Sequence, residues 1–361
     1  MIVKVYDYKT LNAVCAVSKI KSLYWKSNFY SMGSFELYLP VNCDKLNFFK
    51  IGNLIREGGK TGIILYIMPS DESVKICGYD LKFFLNSRMV VPPFYYKDNP
   101  AAIDSQDRVK GSGETVMKYY VKNQCTEPAD TRRKIANLVI AEDLKRGISN
   151  LAWQAKFVTV EKTLNSISAY TKLGYDIVFN PGDKQFVFDV YSGVDRTRNQ
   201  STVSPVIFAK KYKSLSSASY TNDYLESCNC VYVGGNGEEE EQYVQKMTAE
   251  TASADFMIIE GYTNCSSDDV EEIDDAGLAY LEENKNKESV EGSVTSKLPY
   301  KDKWNLGDYV TLRLDIMGEM IYADRQIVSV TEEYQPLTGK TISAAFGTES
   351  ENIIKRIAKV R

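Results

Sequence analysis

Histidine is absent from all 361 residues of the chain. This absence excludes Ser-His-Asp and Cys-His catalysis, zinc sites with imidazole ligands, and acid–base chemistry by imidazole. Paired carboxylates could still act as catalysts, but nothing in the sequence singles out one pair among the 48 Asp and Glu residues. The glycine-rich segments 111–114 and 234–237 lack the Lys-Ser/Thr of a phosphate-binding loop. We therefore predict no catalytic residues and no enzyme activity.

The seven cysteines are odd in number and scattered, which favours a reducing compartment over a disulfide framework. Cys228 and Cys230 share one face of a predicted strand, but a metal needs two more ligands, and Cys265 alone is a poor supplement. We predict buried structural thiols, no metal and no cofactor.

Long hydrophobic runs are also missing, and no stretch is long enough to span a bilayer. The first eight residues, MIVKVYDY, resemble a strand rather than the apolar segment of a signal peptide. We expect synthesis in the cytoplasm and no membrane insertion.

The residues that are present are typical of a globular protein rich in sheet. Hydrophobic residues make up 43% and charged residues 25% of the chain. The 25 Tyr and 14 Phe favour strands, because aromatic side chains suit a half-buried pleated surface. The net charge of -4 argues against broad nucleic-acid binding. DNA could still pass along a mildly acidic wall, which would repel phosphate.

A seven-residue phrase occurs twice, as FKIGNLI at residues 49–55 and as WNLGDYV at residues 304–310. Each copy has an aromatic residue (Phe49, Trp304), then Gly (Gly52, Gly307), then Asn or Asp (Asn53, Asp308). Such a phrase predicts a loop that enters a strand, because Gly adopts positive φ and Asn or Asp bonds to the local backbone. Two copies, each within a run of hairpins, indicate two related β domains.

The first of these domains is predicted to be a tube-like antiparallel β-barrel at residues 1–98. Phe35, Leu37 and Leu39 alternate with more polar residues, and Gly33 supplies the turn before them. Residues 74–85 are predicted to form a further pair of strands around Gly78, and the pair Pro92-Pro93 closes the unit. Barrel closure would remove exposed strand edges.

Residues 99–200 are predicted to form an α+β middle domain. One helix opens at residues 111–114, and a second is capped by Thr159 and ended by Gly174. A hairpin follows at residues 175–191. The second tube-like barrel is predicted at 201–235 and 301–350, interrupted by an inserted α+β segment at 236–300, and 351–361 is a C-terminal tail. The predicted fold class is mainly β with α+β parts.

The inserted segment is predicted to contain a helix begun by Ser266 and Asp269. Acidic residues at 268–269, 271–272 and 274–275 suit the start of that helix. The run of four glutamates at 238–241 is interpreted as a solvated turn, because neighbouring residues on a strand point to opposite faces.

Taken in order, several motifs resemble the tail-hub (baseplate hub) proteins of bacteriophages and phage-derived contractile particles. The resemblance is strongest to the short hub family common in prophages and siphoviruses. The motifs are Trp25 with residues 33–40, Gly113-Glu114, residues 193–197 after the strand at 186–191, residues 234–237, residues 306–310 and Phe346-Gly347. One departure is the acidic run 238–241, where related chains tend to carry a basic residue.

This resemblance implies a structural protein of the virion tail or of a phage-tail-like particle. Three chains with two barrels each would form a homotrimeric ring of six similar units. Such a ring would adapt a sixfold tail-tube protein ring to a threefold spike or tip protein. Tape-measure and baseplate wedge proteins are further candidate partners, and DNA would only pass through the lumen. The three alternatives are a carbohydrate- or receptor-binding tail module, a cell-wall hydrolase of the tail, and a tail-tube or tail-completion protein.

Overall fold

A computed structural model describes residues 1–96, 105–237, 242–253, 257–265, 267–316 and 318–347. These ranges contain 22 strands and four α-helices, which confirms the predicted mainly-β class with α+β parts. The glutamate run 238–241, the proposed cap Ser266 and the tail 351–361 lie outside the described residues. No helix in the described ranges is both long and apolar enough to cross a bilayer.

Seven strands and one short helix form what we call the first sheet unit. Its elements are β1 (Val3–Tyr6), β2 (Ala13–Val17), β3 (Ser22–Asn28), β4 (Ser34–Pro40), β5 (Leu54–Glu57), β6 (Lys60–Pro69), β7 (Ser73–Asp80) and α1 (Phe83–Asn86). The strand order is β3-β4-β7-β6-β5-β1-β2, with every neighbouring pair antiparallel. The sheet curls around a core that includes Trp25 and the alternating Phe35, Leu37 and Leu39 of β4.

The predicted pair of strands around Gly78 is wrong, because residues 73–80 form the single strand β7 and residues 83–86 form helix α1. Gly78 lies in the middle of β7. A Cβ atom there would come within 1.8 Å of the Ile63 carbonyl oxygen and 2.8 Å of the Phe35 ring. Glycine therefore serves close packing at this position and not a turn.

The middle unit is an α+β layer of helices against short sheets. Its elements are β8 (Asp107–Gly111), α2 (Gly113–Val121), β9 (Leu138–Ile140), β10 (Leu151–Ala155), α3 (Val160–Thr171), β11 (Gly174–Asn180) and β12 (Gln185–Tyr191). Thr159 caps α3 as predicted, since its side chain accepts a hydrogen bond from the Lys162 N–H. The helix ends at Lys172 in the left-handed conformation, whereas Gly174, the predicted stop, begins β11.

The second sheet unit has seven strands around a second core. Its strands are β13 (Asp195–Arg196), β14 (Ile207–Ala209), β15 (Leu215–Asp223), β19 (Lys287–Val294), β20 (Tyr309–Ile316), β21 (Glu319–Gln335) and β22 (Gly339–Gly347). Its main order, β15-β19-β22-β21-β20, repeats the order β3-β4-β7-β6-β5 of the first sheet unit, again with antiparallel neighbours. The short strands β13 and β14 pair in parallel with β20.

The inserted unit separates β15 from β19. It contains β16 (Cys230–Gly234), β17 (Val244–Thr248), β18 (Glu260–Asn264) and α4 (Val270–Glu283). Strand β16 lies between β17 and β18 in a separate three-stranded sheet, and α4 covers one face. The boundaries thus differ from the sequence-based ones: β16, expected in the second barrel, lies in the inserted unit, and β19, expected in the insertion, lies in the second sheet unit.

The two sheet units join into one 14-stranded sheet, because β3 pairs antiparallel with the C-terminal part of β21. Strand β3 has β4 on its other side, so neither edge is left for β2. In the second sheet unit, β15 pairs with β19 alone. In the part of the chain that the structure describes, both units are therefore open sheets and not closed barrels.

A buried polar cluster lies where the first sheet unit meets the middle unit. The ammonium of Lys82 donates to the carbonyl oxygens of Asn28 (2.7 Å) and Ser31 (2.9 Å) and lies 4.8 Å from the centre of the Tyr175 ring. Burial raises the pKa of the Asp80 carboxyl to about 7, although the charge of Lys82 opposes the rise. The folded protein consequently keeps a proton on Asp80 at pH values where an unfolded chain has lost it.

The contribution of Asp80 to the stability of the wild type should fall as pH rises from about 4 to about 7, because the unfolded chain loses this proton near the lower value and the folded state only near the upper one. Asp80→Asn removes the titration. Its melting temperature relative to wild type should therefore rise between about pH 4 and about pH 7, as measured by thermal unfolding. Exposed Asp71→Asn is the control. A difference that stays constant with pH would contradict the assignment.

Candidate assembly interface

The two copies of the repeated phrase make the same hydrogen bonds in the two sheet units. The Gly52 N–H donates to the Ile64 oxygen (2.8 Å), and the Ile64 N–H donates to the Asn53 oxygen (2.9 Å). In the second unit, the Gly307 N–H donates to the Ile327 oxygen (2.8 Å), and the Ile327 N–H donates to the Asp308 oxygen (2.9 Å). The first phrase thus holds the start of β5 against Ile64 of β6, and the second holds the start of β20 against Ile327 of β21. Ile64 and Ile327 are therefore equivalent residues of the two units.

Both glycines of the phrase have positive φ, +89° at Gly52 and +93° at Gly307. Their surroundings differ. A Cβ at Gly52 would meet nothing within 4 Å, but a Cβ at Gly307 would lie 2.1 Å from the Phe29 ring. Gly174 of the middle unit packs against the same ring, since a Cβ added there would lie 2.3 Å from it. The buried Phe29 side chain is therefore the point where the two sheet units and the middle unit meet.

The aromatic residues of the phrase are core residues. Phe49 is 5% exposed in the core of the first sheet unit, and Trp304 is fully buried in the core of the second. The indole N–H of Trp304 donates to the Leu298 oxygen (2.9 Å), so the one polar atom of its ring is satisfied.

The residue after each glycine has a different role in the two copies. The Asn53 amide donates to the Phe48 oxygen (3.0 Å) and closes its own loop. The buried carboxylate of Asp308 instead accepts from the Val194 N–H (2.9 Å) and from Arg196 Nε (2.8 Å). Asp308 thereby holds β13 alongside β20, which accounts for part of the 193–197 motif noted in the sequence.

Gly33 and Phe35, the other two residues predicted to define the motif, also lie inside the first sheet unit. The Gly33 N–H donates to Asp80 Oδ2 (2.7 Å), and a Cβ at Gly33 would lie 2.3 Å from the Lys26 oxygen. Phe35 stacks on Trp25 with 5.2 Å between ring centres. All eight motif residues thus build the units themselves, and none forms an exposed site.

The contact between the two sheet units is a ladder of six residue pairs between β3 and β21, from Asn28 opposite Ser329 to Leu23 opposite Tyr334. Sequence reasoning did not identify this junction, because its strands are far apart in the chain. Alternating patterns identify a strand but not its neighbours.

One buried ion pair crosses the same junction. Glu332 Oε1 of β21 lies 2.7 Å from the Lys60 ammonium of β6, and Lys340 of β22 pairs with the other carboxylate oxygen. The Lys60 ammonium also lies 5.3 Å from the centre of the Trp25 ring. Burial alone would raise the pKa of Glu332, but Lys60 and Lys340 hold it below its usual value. The glutamate therefore remains charged at neutral pH.

The inserted unit packs against the middle unit through its acidic helix. Asp269 caps α4 by accepting from the Glu271 N–H. Further along the helix, Asp275 Oδ2 accepts from the Ala152 N–H of β10 (2.9 Å), and Glu272 lies 3.5 Å from Arg108. The acidic residues that were interpreted as suiting a helix start also dock this helix on a neighbouring unit.

No group of three or more Cys, Asp or Glu residues in the described ranges is placed to hold a metal ion. Cys228, Cys230 and Cys265 are buried free thiols, and burial raises the pKa of the Cys265 thiol to about 11. The Cys265 thiol is therefore protonated at neutral pH.

Residues 2–348 match the family model described as Siphovirus ReqiPepy6 Gp37-like protein. No curated protein matches the sequence.

Three solved structures share the fold over almost the whole chain. A tail protein from Neisseria meningitidis MC58 is 15% identical, with 96% of each chain covered and a TM-score of 0.58. The prophage tail protein gp18 from Listeria monocytogenes EGD-e is 14% identical, with 100% of this chain and 98% of that chain covered and a TM-score of 0.55. The 43 kDa tail protein of prophage MuSo2 from Shewanella oneidensis is 12% identical, with 96% and 98% covered and a TM-score of 0.58.

Gly307→Ala and Gly52→Ala should differ sharply in cost although both residues have positive φ. Gly52→Ala adds only backbone strain, about 1–2 kcal/mol. Gly307→Ala adds a clash with the fully buried Phe29 ring, and we expect a total of about 3 kcal/mol or more. Denaturant unfolding of the two variants measures the difference. Equal losses would show that Phe29 does not hold the three units together.

Glu332→Gln removes the carboxylate that pairs with both Lys60 and Lys340, and it leaves the buried Lys60 ammonium with Glu57 alone, 3.1 Å away. We expect a loss of about 2 kcal/mol at neutral pH, less than for a buried charge with no partner, measured by denaturant unfolding. The loss should shrink as pH falls below about 4, since the depressed pKa of Glu332 makes the wild type lose the same interaction. The exposed Glu319→Gln on the same strand is the control. A loss that does not change with pH would refute the charge-based account.

Proposed function

Because the chain belongs to the family of Siphovirus ReqiPepy6 Gp37-like proteins and has the fold of phage tail proteins, we propose that it is a structural tail-hub protein. In this proposal three copies form a ring that joins a sixfold tail-tube ring to a threefold spike or tip protein. The protein acts through geometry and not through catalysis. Its place is the tail of the virion or of a phage-tail-like particle.

The repeated architecture within one chain carries the proposal. The orders β3-β4-β7-β6-β5 and β15-β19-β22-β21-β20 match strand for strand, and the repeated phrase makes matching hydrogen bonds in each. One chain therefore offers two similar units side by side. Three chains in a closed ring would offer six, which is the number that a sixfold ring requires.

The differences between the two units support threefold symmetry on the other face. Asp308 and Arg196 hold the parallel strand β13 in the second sheet unit, whereas the side-chain amide of Asn53 in the first unit donates to Phe48 of its own loop. The inserted unit also interrupts only the second. Features that occur once per chain would occur three times per ring and suit a threefold partner.

The alternative function, a carbohydrate- or receptor-binding tail module, would favour exposed aromatic platforms. Trp25 and Trp304 are buried in the two cores, and Trp153 packs partly buried on the core of the middle unit. None of the three tryptophans therefore offers such a platform, and the exposed aromatic candidates for one are tyrosines such as Tyr95 and Tyr262. Binding of the isolated protein to intact host cells would instead favour the module.

The purified protein should assemble with a mass of about 122 kDa, three times the 40.8 kDa chain. Class averages from electron microscopy should show a ring with threefold symmetry and six similar lobes. Native mass measurement over a range of protein concentrations checks the copy number. Six chains in one ring, or a chain that stays monomeric at all concentrations, would refute the proposal.

A further inference from the structure

Two of the strand edges that have a neighbouring strand on one side only, in the described part of the chain, are counterparts of strands that pair with each other. The first belongs to β15, which pairs with β19 and is exposed along most of its nine residues. The second belongs to β6 after Ile64. Strand β5 pairs only with residues 60–63, so residues 65–69 have β7 alone as a neighbour. Unpaired edges of this kind are ready to add a further strand.

The same chain already contains the contact that would cover both edges. Strand β3 occupies in the first sheet unit the place that β15 occupies in the second, at the end of the common order. Likewise, β21 is the counterpart of β6. The observed pairing of β3 with β21 is therefore a pairing between the counterparts of the two open edges.

The register of the missing contact follows from the observed one. Ile64 and Ile327 are equivalent because each bonds to its repeated phrase in the same way, and each is followed by a bulge of one residue. Met68 of β6 therefore corresponds to Thr331 of β21.

Strand β15 is aligned with β3 by the same counting. Gly78 of β7 and Phe346 of β22 are equivalent, because they lie opposite Ile64 and Ile327. Phe35 of β4 lies opposite Gly78, and Val290 of β19 lies opposite Phe346, so Phe35 corresponds to Val290. Their neighbours Trp25 of β3 and Tyr220 of β15 therefore also correspond. Lys26, which lies opposite Thr331, then corresponds to Thr221.

We propose that β15 of one copy of this chain pairs antiparallel with residues 66–69 of β6 in the next copy, with Thr221 opposite Met68. Tyr220 then lies opposite Pro69, which has no N–H and ends the ladder. Tyr66 and Met68 are 50% and 44% exposed in the single chain and would be covered. The contact is head-to-tail, so it repeats from copy to copy until the ring closes.

This pairing rests on the proposed function only for the number of copies in the ring. The strand pairing itself would be the same in a ring of any size. Because the pairing and the copy number are separate, one experiment can test both and assign a failure to one of them.

The test is disulfide cross-linking of the full-length protein with the substitutions Met68→Cys and Thr221→Cys in a Cys77→Ser background. Cys77 is removed because it lies one strand away on β7, opposite Tyr66. Directly opposed residues bring their Cβ atoms to about 5 Å, close to disulfide distance. Mild oxidation should give covalent dimers and trimers on a non-reducing gel, and reduction should return the monomer.

The matched control pairs Met68→Cys with Ser217→Cys, four residues further along the same strand and about 13 Å from the proposed partner. Each single variant in the same background shows the contribution of the remaining natural cysteines. These controls should give less than a tenth of the cross-linked product of the Met68/Thr221 pair.

Native mass measurement of the same samples separates the outcomes. A trimer that cross-links only in the control register, or in neither, overturns the strand pairing and leaves the threefold ring intact. A cross-linked ring with another copy number supports the pairing and overturns the trimer. A protein that stays monomeric and uncross-linked overturns both.

Discussion

A strand at the edge of a sheet has backbone N–H and C=O groups that must find partners, and this requirement shapes the whole molecule. Within the described residues, neither sheet unit removes its edges by closing into a barrel. Strand β3 instead takes β21 of the other unit as its second neighbour, which makes one continuous sheet from two units. The buried pair of Lys60 with Glu332 then adds a charge contact to the backbone ladder. The backbone groups of β3 that a closed barrel would pair with a strand of the same unit thus pair with β21 of the other unit.

Side-chain packing at the joint between the two sheet units depends on glycines, because they leave room for a large side chain. The ring of Phe29 fits between Gly307 and Gly174, and it meets Tyr191 edge-on with 5.3 Å between ring centres. A phenyl ring of the first sheet unit therefore touches the second sheet unit and the middle unit at once. Since the three units share this closely packed contact, one unit cannot move there without displacing the other two.

Local rules predicted the local elements well. Two similar phrases predicted two loops that enter strands, and both glycines have the positive φ that the pattern indicated. The cap at Thr159 was also predicted correctly, because the cap needs only the neighbouring backbone. Gly78 shows the limit of such rules. Its sequence looks like a turn, and only the distant Ile63 and Phe35 reveal that the glycine makes room in the middle of a strand. The β3–β21 junction was missed for the same reason, since its partners lie at opposite ends of the chain.

Strand β21 has 17 residues and three strand neighbours, with β20 along its first half and both β22 and β3 along its second. The second half of β21 cannot separate from the sheet on one side only, because release of its backbone amides requires both sheet units to open together. Its second half should accordingly be the slowest part of the chain to exchange amide hydrogen for deuterium. Strand β21 would then be the most stable part of the sheet, and the amides of the exposed edge strand β15 would exchange much faster.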